Sequence, residues 1–322
     1  MREEFPTVPV DAPEDGAGAS QPECLETGTG YSVVAVTGEE AGDFLQRILT
    51  ADIPAADDAR SVLAGLCTPK GRLLALARVI PWDDGYRLVL PEDTAAETVA
   101  RLQMYVLRSR VTVHAPDMQW RLLRAAGPTA RSLLARWSER PMPEAEGVVR
   151  SGEVAIIRLP GAPERYWVVG PAAPVAAVEG VLAEHLPPTD EETWRALEIL
   201  AGQPEIRAPG RELFIPQMVN LDRLGGVSFS KGCFPGQEVV ARAHYRGKVK
   251  QRMFRARGTG DAPADGSEVR DADNQLAGHV VCAAGAPQGF TALVSLREAQ
   301  LSGPASLSVN GQPLHLLREA GT

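Results

Sequence analysis

Alternating and helical patterns of apolar residues divide the chain into two similar halves and a third part made of short strands. The first half begins with a strand at 31–36 and an amphipathic helix at 39–49, and the second begins with a strand at 120–125 and a similar helix. Each half continues with two strands and a second helix, at 72–80, 85–90 and 92–107 or at 154–159, 165–169 and 172–185. This repeat, after ~80–90 residues, predicts two related ferredoxin-like α+β units with antiparallel sheets.

An irregular segment follows the second half and carries a prominent cysteine. A helix that begins at Glu191 places Trp194 on its apolar face, and prolines at 204, 209 and 216 interrupt the chain after it. Long irregular segments inside a compact domain are often functional. Next come a predicted strand end at 227–229, the Gly-flanked Cys233 and a predicted helix at 237–243.

The last part of the chain, after Gly247, contains short apolar runs between Gly-, Pro- and Asp-rich turns. They predict strands at 248–257, 268–270, 276–284, 290–296 and 314–317. Such a series predicts a small C-terminal β-barrel. The predicted division is a disordered acidic tail at 1–29, a first α+β unit at 30–118, a second unit with the Cys233 segment at 119–246, and the barrel at 247–322.

Negative charge is concentrated at the amino terminus. The net charge of the 322 residues is −8, and residues 1–30 contain seven acids against one arginine. The acidic pI of about 5.3 argues against a general nucleic-acid binder. One stretch, 241–257, contains seven lysines and arginines and no acid. It is interpreted as the solvated face of a strand, since the charges at 246, 248, 250 and 252 alternate, or as a contact for a nucleic acid or a small anion.

Cysteine spacing and the lengths of the apolar runs indicate the cellular compartment. The cysteines, at 24, 67, 233 and 282, show no CxxC pair and no paired spacing with His, so we expect no metal site and no disulfide framework. The first ten residues lack the basic start and apolar core of a secretory signal. No apolar run approaches the ~18 residues that a bilayer span needs. We therefore expect a cytoplasmic protein with reduced thiols and no membrane contact.

The residues around Cys233 favour a reactive thiol. The predicted helix starts just after this cysteine, and the partial positive charge of a helix N-terminus favours a thiolate. Lys231, two residues away, acts in the same direction. The alternative is a buried, inert cysteine in a tight turn, which is a common environment for free cysteine. The residues alone leave both interpretations open.

Residues 231–238, KGCFPGQE, match the signature K-G-C-[YF]-x-G-Q-E of the YgfZ family, whose members are related to the glycine cleavage T-protein. The matching positions are Lys231, Gly232, Cys233, Phe234, Gly236, Gln237 and Glu238. Other segments that resemble bacterial members lie at 42–46, 70–72, 214–217, 220–221 and 239–247, the last of which includes Arg242. The resemblance extends from about residue 31 to the C-terminus.

The resemblance implies three domains arranged as a ring, with tetrahydrofolate or a derivative bound non-covalently in the central hole. It also implies a role in maintaining iron–sulfur enzymes, including those that modify tRNA, so that contact with tRNA itself is indirect or weak. Of the family's two folate-contacting tryptophans, Trp194 matches one, and Tyr31 stands at the position of the other. By the same resemblance, Cys233 is the key thiol and Lys231 assists it.

Two positions depart from the relatives. The Glu-Ala-Gly of T-proteins, whose Glu holds the pterin, reads LAG at 200–202. Glu198 lies about 200° around the helix from that leucine and is expected to face elsewhere. The position of the T-protein's catalytic Asp aligns with Thr98, while Asp93 is close but out of register. Both losses argue against a classical aminomethyltransferase.

Three functions are open at this point. The first is a folate-dependent accessory protein for iron–sulfur enzymes that uses Cys233 as a nucleophile, a transient ligand or a radical scavenger. The second is a folate-dependent aminomethyltransferase, and the third is a binding scaffold that contacts tRNA or a partner enzyme through 242–257. A silent Cys233→Ala change, together with loss of function on charge reversal at Arg246 and Lys248, would favour the scaffold.

Overall fold

The computed structural model describes residues 22–28, 30–55, 59–117, 119–245, 249–297 and 306–319. The α-helices are α1 (Ala41–Ile48), α2 (Glu92–Tyr105), α3 (Pro128–Ser138), α4 (Ala172–Ala183), α5 (Glu191–Leu200) and α6 (Gln237–Tyr245). Short 3₁₀ turns lie at Ile53–Ala55, Ala208–Gly210 and Pro216–Val219. None of the helices that the structure describes is long and apolar enough to cross a membrane.

In the described part of the chain, sixteen strands form two open sheets and a barrel. The sheet strands are β1 (Cys24–Glu26), β2 (Tyr31–Thr37), β3 (Val62–Cys67), β4 (Leu73–Trp82), β5 (Gly85–Pro91), β6 (Thr112–Val113), β7 (Trp120–Ala126), β8 (Val148–Ser151), β9 (Val154–Arg158) and β10 (Arg165–Pro171). The barrel strands are β11 (Gln251–Gly258), β12 (Glu268–Arg270), β13 (Leu276–Ala286), β14 (Gly289–Arg297), β15 (Leu307–Val309) and β16 (Gln312–Glu319).

The two halves share one topology, as the repeat predicts. The first sheet has the strand order β3-β4-β5-β2-β6 and the second has the order β1-β7-β10-β9-β8, with antiparallel neighbours throughout. The predicted number of strands between the two helices of each unit is wrong, because β3 or β8 adds a third. β3 is an almost uniformly buried run without alternation, and β8 has only four residues, so neither gives a clear period-two signal.

Strand β1 corrects the predicted extent of the disordered tail. It pairs antiparallel with β7, with Leu25 opposite Ala125. Glu26 is buried beside Arg124, whose Nε donates a hydrogen bond to its carboxylate. β1 lies beside β7 in the second sheet as β6 lies beside β2 in the first sheet. Residues that precede the first unit in the chain thus complete the sheet of the second unit. The rest of the predicted tail, 1–21, lies outside the described residues.

The two sheets pack against each other, and each carries its own two helices on its outer face. Val33 of β2 and Leu122 of β7 lie in one buried cluster between the sheets. The next residues along each strand, Val34 and Leu123, lie in the separate cores under the helices of their own units. Successive side chains of a strand point to opposite faces of its sheet. Each sheet therefore contributes to the core between the sheets and to the core under its own helices.

The C-terminal strands form a closed barrel in the order β11-β14-β13-β12-β15-β16, which confirms the predicted small barrel. Closure leaves no free strand edge. Arg252 of β11 is buried and makes a bidentate ion pair with Asp222, at 2.7 and 3.1 Å. The interpretation of the basic stretch as one solvated face is therefore wrong at Arg252, where the carboxylate compensates the buried charge. Residues 246–248 lie outside the described part of the chain.

The irregular segment at 201–245 packs between the first sheet and the barrel. Its Phe214 shares a buried cluster with Leu73 of β4 and with Met253 of β11. Apolar residues spaced irregularly along this segment pack against both the first α+β unit and the barrel and join them. The Cys233 region therefore sits where the first α+β unit meets the barrel.

Candidate functional site

Cys233 is exposed, whereas the other three cysteines of the chain are buried. Burial raises the pKa of Cys24 to about 11, and it raises the pKa values of Cys67 and Cys282 to about 12. Those three thiols are therefore protonated and inaccessible near neutral pH. The alternative interpretation of Cys233 as a buried cysteine is wrong, because the loop presents its side chain to solvent.

We call residues 231–236 the Cys233 loop, and close backbone contact fixes it on the first unit. Gly236 has a φ of +81°, and a Cβ there would lie 2.5 Å from the carbonyl oxygen of Thr68 and 2.6 Å from the Cα of Gly71. Gly71 has a φ of +72°, and a Cβ added there would lie 3.1 Å from the carbonyl oxygen of Gly236. Only glycine combines this backbone conformation with so close an approach. The loop and the turn at 68–71 therefore interlock.

Lys231 anchors the other end of the Cys233 loop to helix α1. Its Nζ donates hydrogen bonds to the carbonyl oxygens of Gln46 and Ala51, both at 2.7 Å, and to that of Leu49. An ammonium group has three hydrogens, so none is left to donate to Cys233. Burial lowers the pKa of Lys231 to about 8, and the negative end of the α1 dipole faces its charge. The predicted assistance to the thiol stays a prediction, while the contacts give Lys231 a positioning role.

The remaining signature residues divide into a buried group and an exposed group. Phe234 is buried in the cluster between the first sheet and the barrel, and its ring centroid lies 5.3 Å from the Nζ of Lys231. Gln237 begins α6 and is half-buried, whereas Glu238 and Arg242 are exposed on that helix. The predicted helix directly after the loop is thus present, and it carries exposed polar groups.

Buried polar side chains hold the segment that leads to the loop. Gln217 is fully buried, and its Nε2 donates to a carbonyl oxygen of α6 at 2.7 Å. The carbonyl oxygen of Thr50 accepts a hydrogen bond from the N–H of Ser228 at 2.9 Å. The predicted strand end at 227–229 is wrong, because this isolated bond does not continue as a ladder among the described residues. Side-chain and single backbone bonds replace a sheet here.

A second feature is a cavity of about 50 Å³ between the two sheets, α5 and the barrel. All three units contribute to its wall, which includes Tyr31, Arg78, Trp167, Glu198, Glu205 and Cys282. None of the residues of the Cys233 loop lines it. The cavity therefore lies at the centre of the molecule, where the resemblance places the folate.

Tyr31 and Trp194, the predicted folate contacts, lie in the same cluster between the sheets. The guanidinium carbon of Arg124 is 5.0 Å from the ring centroid of Tyr31 and 5.4 Å from that of Trp194. Tyr31 lines the cavity and packs edge-on against Trp167, at 5.7 Å between centroids. Trp194 is fully buried and supports the wall from behind. Only Tyr31 of the two is therefore positioned at the cavity surface.

Glu198 lines the cavity, and the expectation that it faces elsewhere is wrong. Its carboxylate accepts hydrogen bonds from Trp194 Nε1 at 3.0 Å and from Arg165 at 2.9 Å. Leu200 is 42% exposed, so it lies on a different face of the helix, as the 200° separation requires. The cavity-facing side of α5 is therefore the side that carries the carboxylate.

Glu205 supplies a second carboxylate to the cavity wall. Tyr31 Oη and Arg207 Nε donate hydrogen bonds to it, and Arg195 lies 3.6 Å away. Burial raises the pKa of Glu205, but Arg207 and Arg195 lower it further than burial raises it, and the net pKa is below its usual value. Burial and the charge of Glu205 hold the pKa of Tyr31 well above its usual range. The carboxylate is ionised and the phenol is neutral near pH 7.

Two buried hydrogen-bond donors in the cavity wall have no partner among the described residues. They are the indole Nε1 of Trp167 and the guanidinium Nε of Arg195. An unpaired buried donor is costly, so such groups indicate a place for an acceptor. Donors, carboxylates and an aromatic ring together fit a planar heterocycle such as a pterin. The volume of about 50 Å³ is below the ~300 Å³ at the small end of ligand pockets, so binding requires the wall to move.

Sequence reasoning did not identify Trp167, Arg195 or Glu205 as site residues. Glu205 lies at the start of the proline-rich segment, and long irregular segments of this kind are often functional. This general indication was the only one in the sequence near Glu205. Trp167 lies in strand β10 and Arg195 lies in helix α5. In a regular element, the sequence pattern does not distinguish a side chain that lines a cavity from one that packs in the core.

The positions that correspond to T-protein catalysis are occupied by structural contacts. Thr98 is buried on α2. Asp93 accepts a hydrogen bond from the N–H of Ala208 at 3.0 Å, which joins α2 to the segment after α5. Neither residue lines the central cavity. The geometry therefore does not favour the aminomethyltransferase alternative.

The fold is that of a protein from the glycine cleavage system. Over 94% of this chain, the structure matches the crystal structure of glycine cleavage system aminomethyltransferase T from Bartonella henselae, with a TM-score of 0.72 and 15% identity over 86% of that chain. Residues 29–170 match the family model described as GCVT N-terminal domain. The chain is therefore a protein of the aminomethyltransferase fold class.

Curated relatives define the family more narrowly. The tRNA-modifying protein YgfZ of Escherichia coli O157:H7 (strain EC4115 / EHEC) is 34% identical over 248 residues, which cover 77% of this chain and 76% of the relative. The tRNA-modifying protein YgfZ of Escherichia fergusonii is 33% identical, with the same coverage of both chains. The chain belongs to the YgfZ family, which confirms the resemblance seen in the KGCFPGQE signature.

Proposed function

We propose that this chain is a folate-binding accessory protein that supports iron–sulfur enzymes, and through them tRNA modification, with Cys233 as the acting thiol. The observation that carries the proposal is the presentation of Cys233. It is the exposed cysteine among four, and the loop that carries it is fixed at one end by Gly236 and at the other by Lys231. A thiol held in this way reaches a partner without a large loss of loop entropy on binding.

The central cavity supports the folate part of the proposal. Tyr31 offers a ring edge, Glu198 and Glu205 offer carboxylates for ring N–H groups, and Trp167 and Arg195 offer unpaired donors. These residues would bind and orient a pterin after the wall has widened. A reduced folate, when bound, supplies the chemistry of a one-carbon carrier. The clients in this proposal are cytoplasmic iron–sulfur enzymes, and tRNA is contacted indirectly or weakly.

Complementation tests the role of the thiol. A strain that lacks its own family member is supplied with the wild type, with Cys233→Ala or with Cys233→Ser, and methylthiolated tRNA nucleosides are measured by mass spectrometry. We expect the wild type to restore the modification and both variants to fail, because neither serine nor alanine provides a thiolate. Asp273→Asn, at an exposed barrel turn, is the matched control and should restore it fully. Equal rescue by Cys233→Ala would remove the thiol from the function.

Calorimetry with tetrahydrofolate tests the cavity. Trp167→Phe keeps the aromatic ring but removes the unpaired Nε1–H, so we expect a dissociation constant about fivefold higher, corresponding to ~1 kcal/mol for one hydrogen bond. Trp137→Phe, on the outer helix α3, makes the same chemical change away from the cavity and should leave affinity unchanged. No binding by the wild type, or equal effects of the two substitutions, would reject the folate part of the proposal.

A further inference from the structure

A groove of about 590 Å³ lies beside the Cys233 loop and shares no lining residue with the central cavity. Helix α1, the end of α2, the residues after α2 and the loop itself form its walls. Its apolar floor consists of Phe44 and Ile48, which are 1% and 4% exposed. Pro235, two residues after Cys233, lines the groove from the loop side. A large apolar recess thus adjoins the exposed thiol.

The groove and the loop form one rigid unit. Lys231 donates to carbonyl oxygens at 46, 49 and 51, so it ties the loop to the same helix, α1, that supplies the floor of the groove. The interlocked Gly236 holds the other side of the loop against the first sheet. Because these contacts fix the loop on α1, whatever occupies the groove is held at a constant position relative to Cys233.

The rim of the groove combines exposed apolar side chains with uncompensated positive charge. Leu107 lines the groove and is 85% exposed, and Met104, three residues earlier on α2, is 67% exposed. Arg47 and Arg108 both line the groove, and neither forms an ion pair with any residue in the described part of the chain. Among the described residues, Arg47 donates one hydrogen bond, to Ser109 Oγ at 3.3 Å. Exposed leucine and methionine side chains are a feature of protein interaction sites, and arginine is enriched there.

We propose that this groove docks an acidic, apolar segment of the partner protein whose chemistry requires Cys233. Apolar side chains of the segment fill the recess over Phe44 and Ile48, and its carboxylates pair with Arg47 and Arg108. A nucleic acid offers phosphates for the two arginines but little that matches a floor of aliphatic and aromatic side chains. The inference rests on the proposed function, because it takes the docked protein to be the client on which Cys233 acts.

Photocrosslinking identifies the occupant directly. Benzoylphenylalanine is placed at position 107, which lines the groove, in the full chain expressed in the complemented strain, and the crosslinked segment is sequenced by mass spectrometry. We expect a segment of another protein that is rich in Asp or Glu and in apolar residues. A fluorescent synthetic copy of that segment is then titrated with the purified full-length chain. Its dissociation constant should rise about tenfold in Arg47→Glu/Arg108→Glu and in Leu107→Ser.

Matched substitutions on the outer face of the second unit control for charge and for exposed apolar area. Arg136→Glu, on α3, and Val181→Ser, on α4, should bind the segment like the wild type. Crosslinks to RNA, to a second copy of this chain or to its own acidic residues 1–21 would overturn the proposal. So would the absence of any crosslink, a segment without acidic residues, or equal binding by the groove variants and the controls.

Cys233→Ala separates this inference from the proposed function. It should keep the affinity for the segment within twofold while abolishing tRNA modification in the complementation assay. If Cys233→Ala supports modification but the groove variants do not, the role of the thiol fails and the docking site stands. If the groove variants bind and complement normally while Cys233→Ala fails, the docking site fails and the role of the thiol stands.

Discussion

Replacement of Gly236 by alanine tests whether the Cys233 loop is held by backbone packing. With φ at +81°, an L-residue there carries the left-handed penalty of ~1–2 kcal/mol. The new Cβ would also lie 2.5 Å from the carbonyl oxygen of Thr68 and 2.6 Å from two backbone atoms of Gly71. Because these are backbone atoms, no rotamer change relieves the contact. We therefore expect the closed loop to lose at least about 2 kcal/mol relative to open forms.

Gly232 provides the control within the same loop. A Cβ at this position has no heavy atom within 4 Å, and its φ lies outside the left-handed region. Gly232→Ala also reduces the freedom of the unfolded chain, which stabilises by about 0.4–1 kcal/mol at compatible sites. It should therefore leave the loop unchanged or slightly more stable, although it adds the same methyl group on the other side of Cys233.

Native-state hydrogen exchange measures the difference at the start of α6. The amides of Val239 and Val240 both donate to the carbonyl oxygen of Gly236, at 3.1 and 3.2 Å. A loss of about 2 kcal/mol makes opening about 30-fold more frequent, so peptides that span 237–245 should exchange about 30-fold faster in Gly236→Ala. Gly232→Ala should exchange like the wild type. Equal exchange in the two variants would refute the argument that the interlocked glycines fix the loop.

Three further predictions concern charged groups. Lys231→Met removes three hydrogen bonds and should destabilise the closed loop by at least about 1.5 kcal/mol. Amide exchange should then be faster in both α1 and the Cys233 loop. Unchanged exchange in α1 would contradict the anchoring role of Lys231. Because the pKa of Glu205 is lowered on folding, its contribution to stability is complete above the unfolded value of 4.5 and is lost as the pH falls through the folded value. Glu205→Gln should therefore flatten the decline in urea midpoint between about pH 5 and about pH 3, and curves parallel to the wild type would be inconsistent with this ion pairing. Arg252→Met leaves the carboxylate of Asp222, 9% exposed, unpaired and should cost about 3–5 kcal/mol in urea unfolding; failure of Asp222→Leu to recover stability in the double variant would show that the pair is not the cause.

The repeat and the barrel were predictable because their signals are local. The short apolar runs of β2 and β7, and the short turns between the barrel strands, arise from neighbouring residues. Strand β1 gives no such signal, since its three residues lie in an acidic stretch and pair with β7 about 100 residues later. Strand β3 is buried at all but one position and lacks the alternation that marks a half-buried strand. Strand β1 was thus missed because it depends on a distant partner, whereas β3, which pairs with the next strand β4, was missed because its own pattern gives no clear signal.

The candidate site divides in the same way. The signature predicts that Cys233 lies before a helix, because all the residues concerned are adjacent. It does not predict that Lys231 donates a hydrogen bond to the carbonyl oxygen of Gln46, 185 residues away. Helical geometry correctly predicts that Glu198 and Leu200 lie on different faces of α5. Only the packing of α5 against the rest of the molecule decides that Glu198, and not Leu200, faces the cavity. Angles within a helix are local, and the direction of its faces is a tertiary property.

The central cavity and the exposed thiol belong to one stretch of chain. The segment at 201–245 contributes Glu205 to the cavity wall near its start and carries Cys233 near its end. Phe234, directly after Cys233, shares a buried cluster with Cys282 of the barrel, and Cys282 also lines the cavity. Protein interiors are close-packed, so the wall of the cavity and the side chain of Phe234 share supporting neighbours in this cluster. The cavity wall and the loop that presents the thiol are therefore supported by one apolar cluster.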